Sequence, residues 1–212
     1  MLNNLYWLGH ASFRWEGSRI IYFDPWKIPK GSKKADFIFI SHEHFDHCCA
    51  DDLRRISTAD TVIITDSESA AKLKSEKIAC KEIKTLRPGE NTEIAGLSIS
   101  AVASYNTNKQ FHPRGSGKLG FLVAMDKEVL YHAGDTDLIP EMKNVRCDVA
   151  LLPVSGTYVM TADEAAEAAI TIKPKVVIPM HYGDIVGTVS DAKRLQDLLQ
   201  GKIEVKILKK ES

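Results

Sequence analysis

Apolar positions in the first third of the chain fall into short runs that stop abruptly. "LYWLGHASFRWEG" and "SRIIYFDPW" alternate like paired strands about a Gly-Ser turn, "DFIFIS" reads as a short buried strand and "TVIIT" as another. Between the last two, "CADDLRRIS" has the spacing of a short helix; "DSESAAKLKS" predicts a second, opened by an Asp or Ser cap. A β pattern with turn chemistry at "RPGE" and "IAGL" then fills "KEIKTLRPGENTEIAGLSISAVASY".

The second half begins again with strands, "LGFLVAMD" and "KEVLYHAG", flanking an Asp-Lys turn. Thereafter strands and helices alternate: "DVALLPV", the alanine-rich helix "TADEAAEAAITI", "KVVIPMH", the helix "SDAKRLQDLLQ", and "IEVKIL". Each half is thus a β-rich opening followed by strand and helix units, which predicts two stacked sheets with helices on their outer faces. No Pro/Gly-rich linker interrupts the chain, so one domain over residues 1–212 is expected. The exception to this regularity is the polar, glycine-rich loop "NTNKQFHPRGSGKLG", residues 106–120, of a length that is usually functional or disordered.

Composition narrows the function classes. Lys plus Arg and Asp plus Glu both total 28, giving no net charge and no basic footprint for nucleic acid. The start "MLNNLYWLGHASF" lacks the pattern of a secretory signal, and no apolar run approaches membrane-spanning length, so a cytoplasmic protein is expected. Cys48, Cys49, Cys80 and Cys147 form no C-x-x-C pair and read as free thiols.

The densest chemistry is "HEHFDH", residues 42–47, directly after the strand "DFIFIS". Alternation puts His42, His44 and Asp46 on one side, and a turn would bring His47 back toward them. Imidazoles and carboxylates crowded at the end of a buried strand are what a divalent metal accepts, and without one their desolvation is costly. One ion needs about four ligands, so further donors must come from elsewhere. "YHAGDTD" ends a strand with Asp135, Asp137 close behind, and "IPMHYG" ends another with His181. His10 and His132 read as structural hydrogen-bonding histidines, with His10 near the edge of the cluster.

These segments, in the order "YWLGHASF", "YFDP", "HEHFDH", "HAGDTD" and "PMHYG", resemble the metallo-β-lactamase superfamily. The likeness is greatest to the small hydrolases grouped with ascorbate-6-phosphate lactonase and N-acyl phosphatidylethanolamine phospholipase D. The resemblance implies an α/β fold, an αββα sandwich of two mixed sheets flanked by helices, with a two-metal site on one edge. It assigns His42 and His44 to a first metal, Asp46, His47 and His181 to a second, and Asp135 to a bridge, with Asp24 of "YFDP" as a supporting carboxylate. His44 stands where flavodiiron relatives carry a glutamate, which argues against di-iron redox chemistry.

One position departs from that pattern. Where the superfamily supplies a further first-metal histidine, the strand end "VASYN" has Asn106. An amide oxygen is a harder ligand than imidazole and would favour manganese, magnesium or iron over zinc. His112 is a candidate to replace the imidazole, to contact substrate or move a proton, or to be an ordinary loop residue. The implied activity is hydrolysis by a metal-held hydroxide, with Asp46 orienting the nucleophile, of a small anionic ester such as a phosphodiester or a sugar-phosphate lactone. Two divalent ions are implied, zinc or manganese first, with iron, magnesium or nickel admitted. Lys109, Arg114 and Lys118 are candidate anion-binding groups, and Tyr158 and Tyr182 candidate pocket walls. The alternative is a non-catalytic or single-metal binding module that keeps the fold. Association into a homo-oligomer is left open.

Overall fold

A computed structural model describes residues 1–211, and its strands form two sheets, each built by one half of the chain. The first holds β1 (Leu5–Gly9), β2 (Ser12–Glu16), β3 (Ile20–Phe23), β4 (Phe37–Ile40), β5 (Val62–Thr65) and β6 (Glu82–Thr85) in chain order. Pairing is antiparallel from β1 to β3 and parallel from β3 to β6. Helices α1 (Ala50–Ile56) and α2 (Ser67–Ser75) make the crossovers that β4, β5 and β6 require as parallel neighbours.

The second sheet repeats this plan. β7 (Asn91–Ile94), β8 (Leu97–Ala103), β9 (Leu119–Met125) and β10 (Glu128–His132) are antiparallel, and β10, β11 (Val149–Pro153), β12 (Val176–Met180) and β13 (Glu204–Val205) are parallel. α3 (Ala162–Ile172) and α4 (Val189–Leu199) link its parallel members. The expected αββα sandwich of two mixed sheets is therefore the observed architecture.

Period-two alternation explains the packing. Phe37 and Phe39 of β4 join Phe13, Trp15, Phe121 and Tyr131 in a core shared by both sheets. Ile38 and Ile40 face the other way, against Leu53 and Ile56 of α1 and Leu73 of α2. A strand covered on both faces has to be apolar at every position, which is why "FIFI" shows no polar alternation. Each such side chain contributes about 1.5–3 kcal/mol of burial. The helices start where their caps dictate: Asp66 accepts from Ser69 N at 2.7 Å, and Thr161 and Glu164 form a reciprocal capping box.

Two expectations are adjusted. "LYWLGHASFRWEG" is a hairpin rather than one strand, because the chain turns at His10, whose φ is 51°. "IEVKIL" keeps only Glu204–Val205 as strand; Lys206 N still reaches Val177 O at 2.9 Å, after which the chain leaves the sheet edge.

Candidate metal centre

The candidate side chains all follow the C-terminal ends of strands: His10 after β1, Asp24 after β3, His42 after β4, Asn106 after β8, Asp135 after β10 and His181 after β12. His10, Asp24 and His181 each have a left-handed backbone, with φ of 51°, 43° and 60°. That conformation is uncommon for residues bearing a Cβ and clusters where geometry serves function. Gly134 is a steric necessity at the same rim, since a Cβ there would lie 2.6 Å from Leu119 O. Within "HEHFDH", His47 N and Cys48 N both bond His44 O, at 3.1 and 2.8 Å, and this turn returns His47 to the cluster as the sequence suggested.

Two groups of donor atoms result. His42 Nε2 lies 3.0 Å from His44 Nδ1, which is 3.3 Å from His112 Nε2. Asp46, His47 and His181 form the second group with His10 beside them. Asp135 stands between the two. Its Oδ2 is 3.1 Å from His181 Nε2, 4.0 Å from His42 Nε2 and 3.9 Å from His112 Nε2, while Oδ1 is 3.4 Å from His47 Nε2. His42, His47, His112, Asp135 and His181 are all at most 4% exposed.

Most of these rings are held by their far nitrogen. Asp24 Oδ2 accepts from His47 Nδ1 at 2.7 Å and from Ser41 Oγ at 2.6 Å, and Ser41 Oγ in turn accepts from His42 Nδ1 at 2.9 Å. His181 Nδ1 meets Ser155 Oγ at 3.0 Å. Such partners orient the rings and turn each Nε2 toward the cluster. Asp24 Oδ1 also accepts from Ser41 N at 2.7 Å.

Asn106 holds the His112 ring through its side-chain oxygen. Its Oδ1 accepts from His112 N at 3.2 Å and from His112 Nδ1 at 3.1 Å. Its Nδ2 donates to Tyr158 O at 2.7 Å and to Asp137 Oδ1 at 3.2 Å. The His112 ring thereby lies beside His42 and His44, where position 106 offers no imidazole. The loop carrying it is anchored by Asp137, fully buried, which also accepts from Thr107 N at 2.8 Å and pairs with Lys109.

Burial and the neighbouring carboxylates set the charge of each group. Burial lowers the pKa of His42 well below its ordinary value and takes His112 down to about 4, so both rings are neutral and able to coordinate. At His47 burial also opposes the charge, but Asp135 and Asp24 outweigh it and raise the pKa well above the usual range. Asp46 is held at about 2, against the cost of burial, by its hydrogen bond with His10 and the neighbouring His47. The donor set fits a metal on an independent observation: His47 Nε2 and Asp135 Oδ1 are buried and have no hydrogen-bond partner among the described residues. Buried polar atoms without a well-formed hydrogen bond are compatible with an ion or a water between them.

The remaining candidates separate. A cavity of about 270 Å³ opens on the cluster, with Tyr158 in its wall beside Phe45, Phe111 and Ile185. Tyr182 is not in that wall; it is buried and stacked on Trp7 at 4.8 Å between centroids. Nor do the three cations of the loop line it. Lys109 is paired with Asp137, Lys118 with Glu43, and Arg114 lies 3.5 Å from Glu141 and over the Tyr105 ring. His10 is closer than expected, bonding Asp46 Oδ2 through Nε2 at 3.1 Å. His132 has a structural role, with Nε2 donating to Ala11 O at 2.9 Å and Nδ1 accepting from Gly134 N at 3.2 Å. Sequence reasoning missed Ser41, Ser155 and the anchoring role of Asp137, whose small polar side chains carry no pattern of their own.

Comparison with known proteins agrees with this picture. A family model described as a beta-lactamase superfamily domain matches residues 4–181. A UPF0173 metal-dependent hydrolase of Pyrococcus horikoshii is 35% identical, over 95% of this chain and 94% of that protein. One from Pyrococcus abyssi is 33% identical with the same coverage. A crystal structure of a proposed metal-dependent hydrolase from Parabacteroides distasonis superposes with a TM-score of 0.84 at 34% identity, covering 97% of this chain and 93% of that one. Among the described residues no helix is long and apolar enough to cross a membrane.

Proposed function

This chain belongs to the metallo-β-lactamase superfamily and, within it, to the UPF0173 metal-dependent hydrolases, and from that membership we propose an enzyme that hydrolyses a small ester at two adjoining metal positions. His42, His44 and His112 would hold one ion, Asp46, His47 and His181 the other, and Asp135 would serve both. The observation that carries this reading is the meeting of two groups of ligand atoms, each gathered within 4.8 Å, at the buried carboxylate of Asp135. Divalent ions held there supply Lewis acidity and an activated water at neutral pH.

The chain's own residues do the rest. Asp46, tethered by His10, presents a carboxylate on the cavity wall that orients the attacking water. Asp24, through Ser41 and His47, and Asn106, through His112, keep the rings in the tautomer that coordinates. An imidazole rather than an amide at the first position favours zinc, with manganese, iron and nickel compatible with the same donors.

The bond class is a carboxylic or phosphoric ester. The kinship with the lactonase and phospholipase D-like group rests on the order of the motifs alone. A negative charge on the substrate has less support, since Lys109, Arg114 and Lys118 are each taken by a carboxylate. The reading of a non-catalytic module drew on the missing imidazole at 106, and His112 weighs against it. The test is metal content by elemental analysis of protein purified without chelator, together with ester hydrolysis. Close to two ions per chain and hydrolysis that vanishes in Asp46→Ala are expected; activity that survives this change overturns the mechanism.

A further inference from the structure

We propose that the substrate is a neutral ester carrying a non-polar group of phenyl or hexanoyl size, and that Phe45 and Phe111 select it. This rests on the hydrolase reading above and names the class of molecule that the site takes. The polar floor of the cavity is the cluster of histidines and carboxylates, while its mouth is formed by Phe45, Phe111, Tyr158 and Ile185. No lysine or arginine lines it.

Five large hydrophobic residues are exposed among the described residues, and Phe45, Phe111 and Ile185 of this mouth, at 64%, 56% and 43%, are three of them. Scattered exposed apolar residues need no explanation, but their concentration around one polar-floored cavity marks a binding site. Each phenylalanine has an aromatic neighbour: Phe111 packs edge-on to Tyr158 at 4.4 Å and Phe45 lies 6.0 Å from the Trp26 ring. Tyr158 is itself fixed through its carbonyl, which accepts from Asn106 Nδ2 at 2.7 Å. The wall is thus tied to the same residue that orients His112.

Size and charge narrow the ligand. About 270 Å³ corresponds to roughly nine water volumes, enough to take in a phenyl or hexanoyl group whole. Lys118, close enough to oppose a positive charge on the His44 and His112 rings, is paired with Glu43, and Lys27 lies over the Trp26 ring and is paired with Asp184 at 2.8 Å. In the reaction the acyl carbon gains a bond to the water oxygen, the bond to the leaving oxygen breaks, and a water proton ends on the alcohol. No oxidant or other co-reactant is consumed.

The test separates binding from turnover. Zinc-loaded protein is titrated calorimetrically with acetohydroxamate, hexanohydroxamate and succinate monohydroxamate, and assayed with the p-nitrophenyl esters of acetic, hexanoic and succinic acid. Each methylene that becomes buried is worth roughly fourfold, so hexanohydroxamate is expected to bind at least about tenfold more tightly than acetohydroxamate. That ratio should fall to about threefold or less in Phe111→Ala and Phe45→Ala, and kcat/KM for the esters should follow it. A ratio near one, a preference for the succinate compound, or no binding by any hydroxamate overturns the proposal. Apolar preference in binding without hydrolysis of any ester keeps the selective mouth and removes the ester-hydrolase reading; hydrolysis without chain-length preference does the reverse.

Discussion

Asn106 Oδ1 sits 3.1 Å from His112 Nδ1, so a residue just past β8 orients a ring of the histidine cluster six residues further along. Removing that acceptor in Asn106→Ala leaves the ring to choose its own tautomer and orientation. Affinity for the ion at the three-histidine position should fall roughly 10- to 100-fold, read by competition with a chromophoric chelator. His112→Ala should go further and leave about one ion per chain after dialysis. Two ions retained by His112→Ala would mean that Asn106 coordinates after all.

Asp137 should matter for stability more than its distance from the ions suggests. It is fully buried and collects Thr107 N, Asn106 Nδ2 and Lys109 Nζ. Asp137→Ala strands these donors and unpairs a half-buried ammonium, with an expected cost of about 3 kcal/mol. Denaturant unfolding measures that loss, and limited proteolysis should show faster cutting within residues 107–118. A change below about 0.5 kcal/mol, the size of an ordinary surface substitution, would count against Asp137 as the anchor of the loop.

Stripping the ions should lower the melting temperature. At a free metal concentration about 100 times Kd the bound state gains roughly 2.7 kcal/mol, and in a chain of this size each kcal/mol moves Tm by about 2–4 °C. A fall of roughly 5–10 °C on adding chelator is expected, recovered by zinc. An identical melting curve with and without chelator would show that the donors are not occupied in solution.

The thiols should be slow to react. Burial pushes both Cys48 and Cys147 up to about 12, and Cys49 and Cys80 are also raised. At pH 8 a thiol of pKa about 12 is thiolate in roughly one molecule in ten thousand. Iodoacetamide should therefore label the four cysteines slowly in the native protein and all of them at once in denaturant. Rapid native labelling at Cys48 would contradict its burial.

What could be read from the sequence was whatever is local or periodic. "FIFI" followed by "HEHFDH" places donors at a strand end because alternation and burial leave few other outcomes, and the same holds for Asp135 and His181. The role of His112 could not be read in that way. It depends on Asn106 meeting Tyr158, 52 residues away, and Asp137, 31 residues away. The cations failed for the same reason, since nothing near Lys118 announces that Glu43, 75 residues earlier, will neutralise it. The apolar mouth gathers Phe45, Phe111 and Ile185 from three separate loops, and only folding brings them to one place.

The division of the donors between the sheets has a mechanical consequence. "HEHFDH" hangs from the sheet built by the N-terminal half, and His112, Asp135 and His181 from the one built by the C-terminal half. Ions seated between them would act as rivets through two plates, sharing load that the apolar layer otherwise carries alone. Neither half can slide or part without tearing out the rivets, so occupancy of the site would report on whether the two halves of the molecule are locked together.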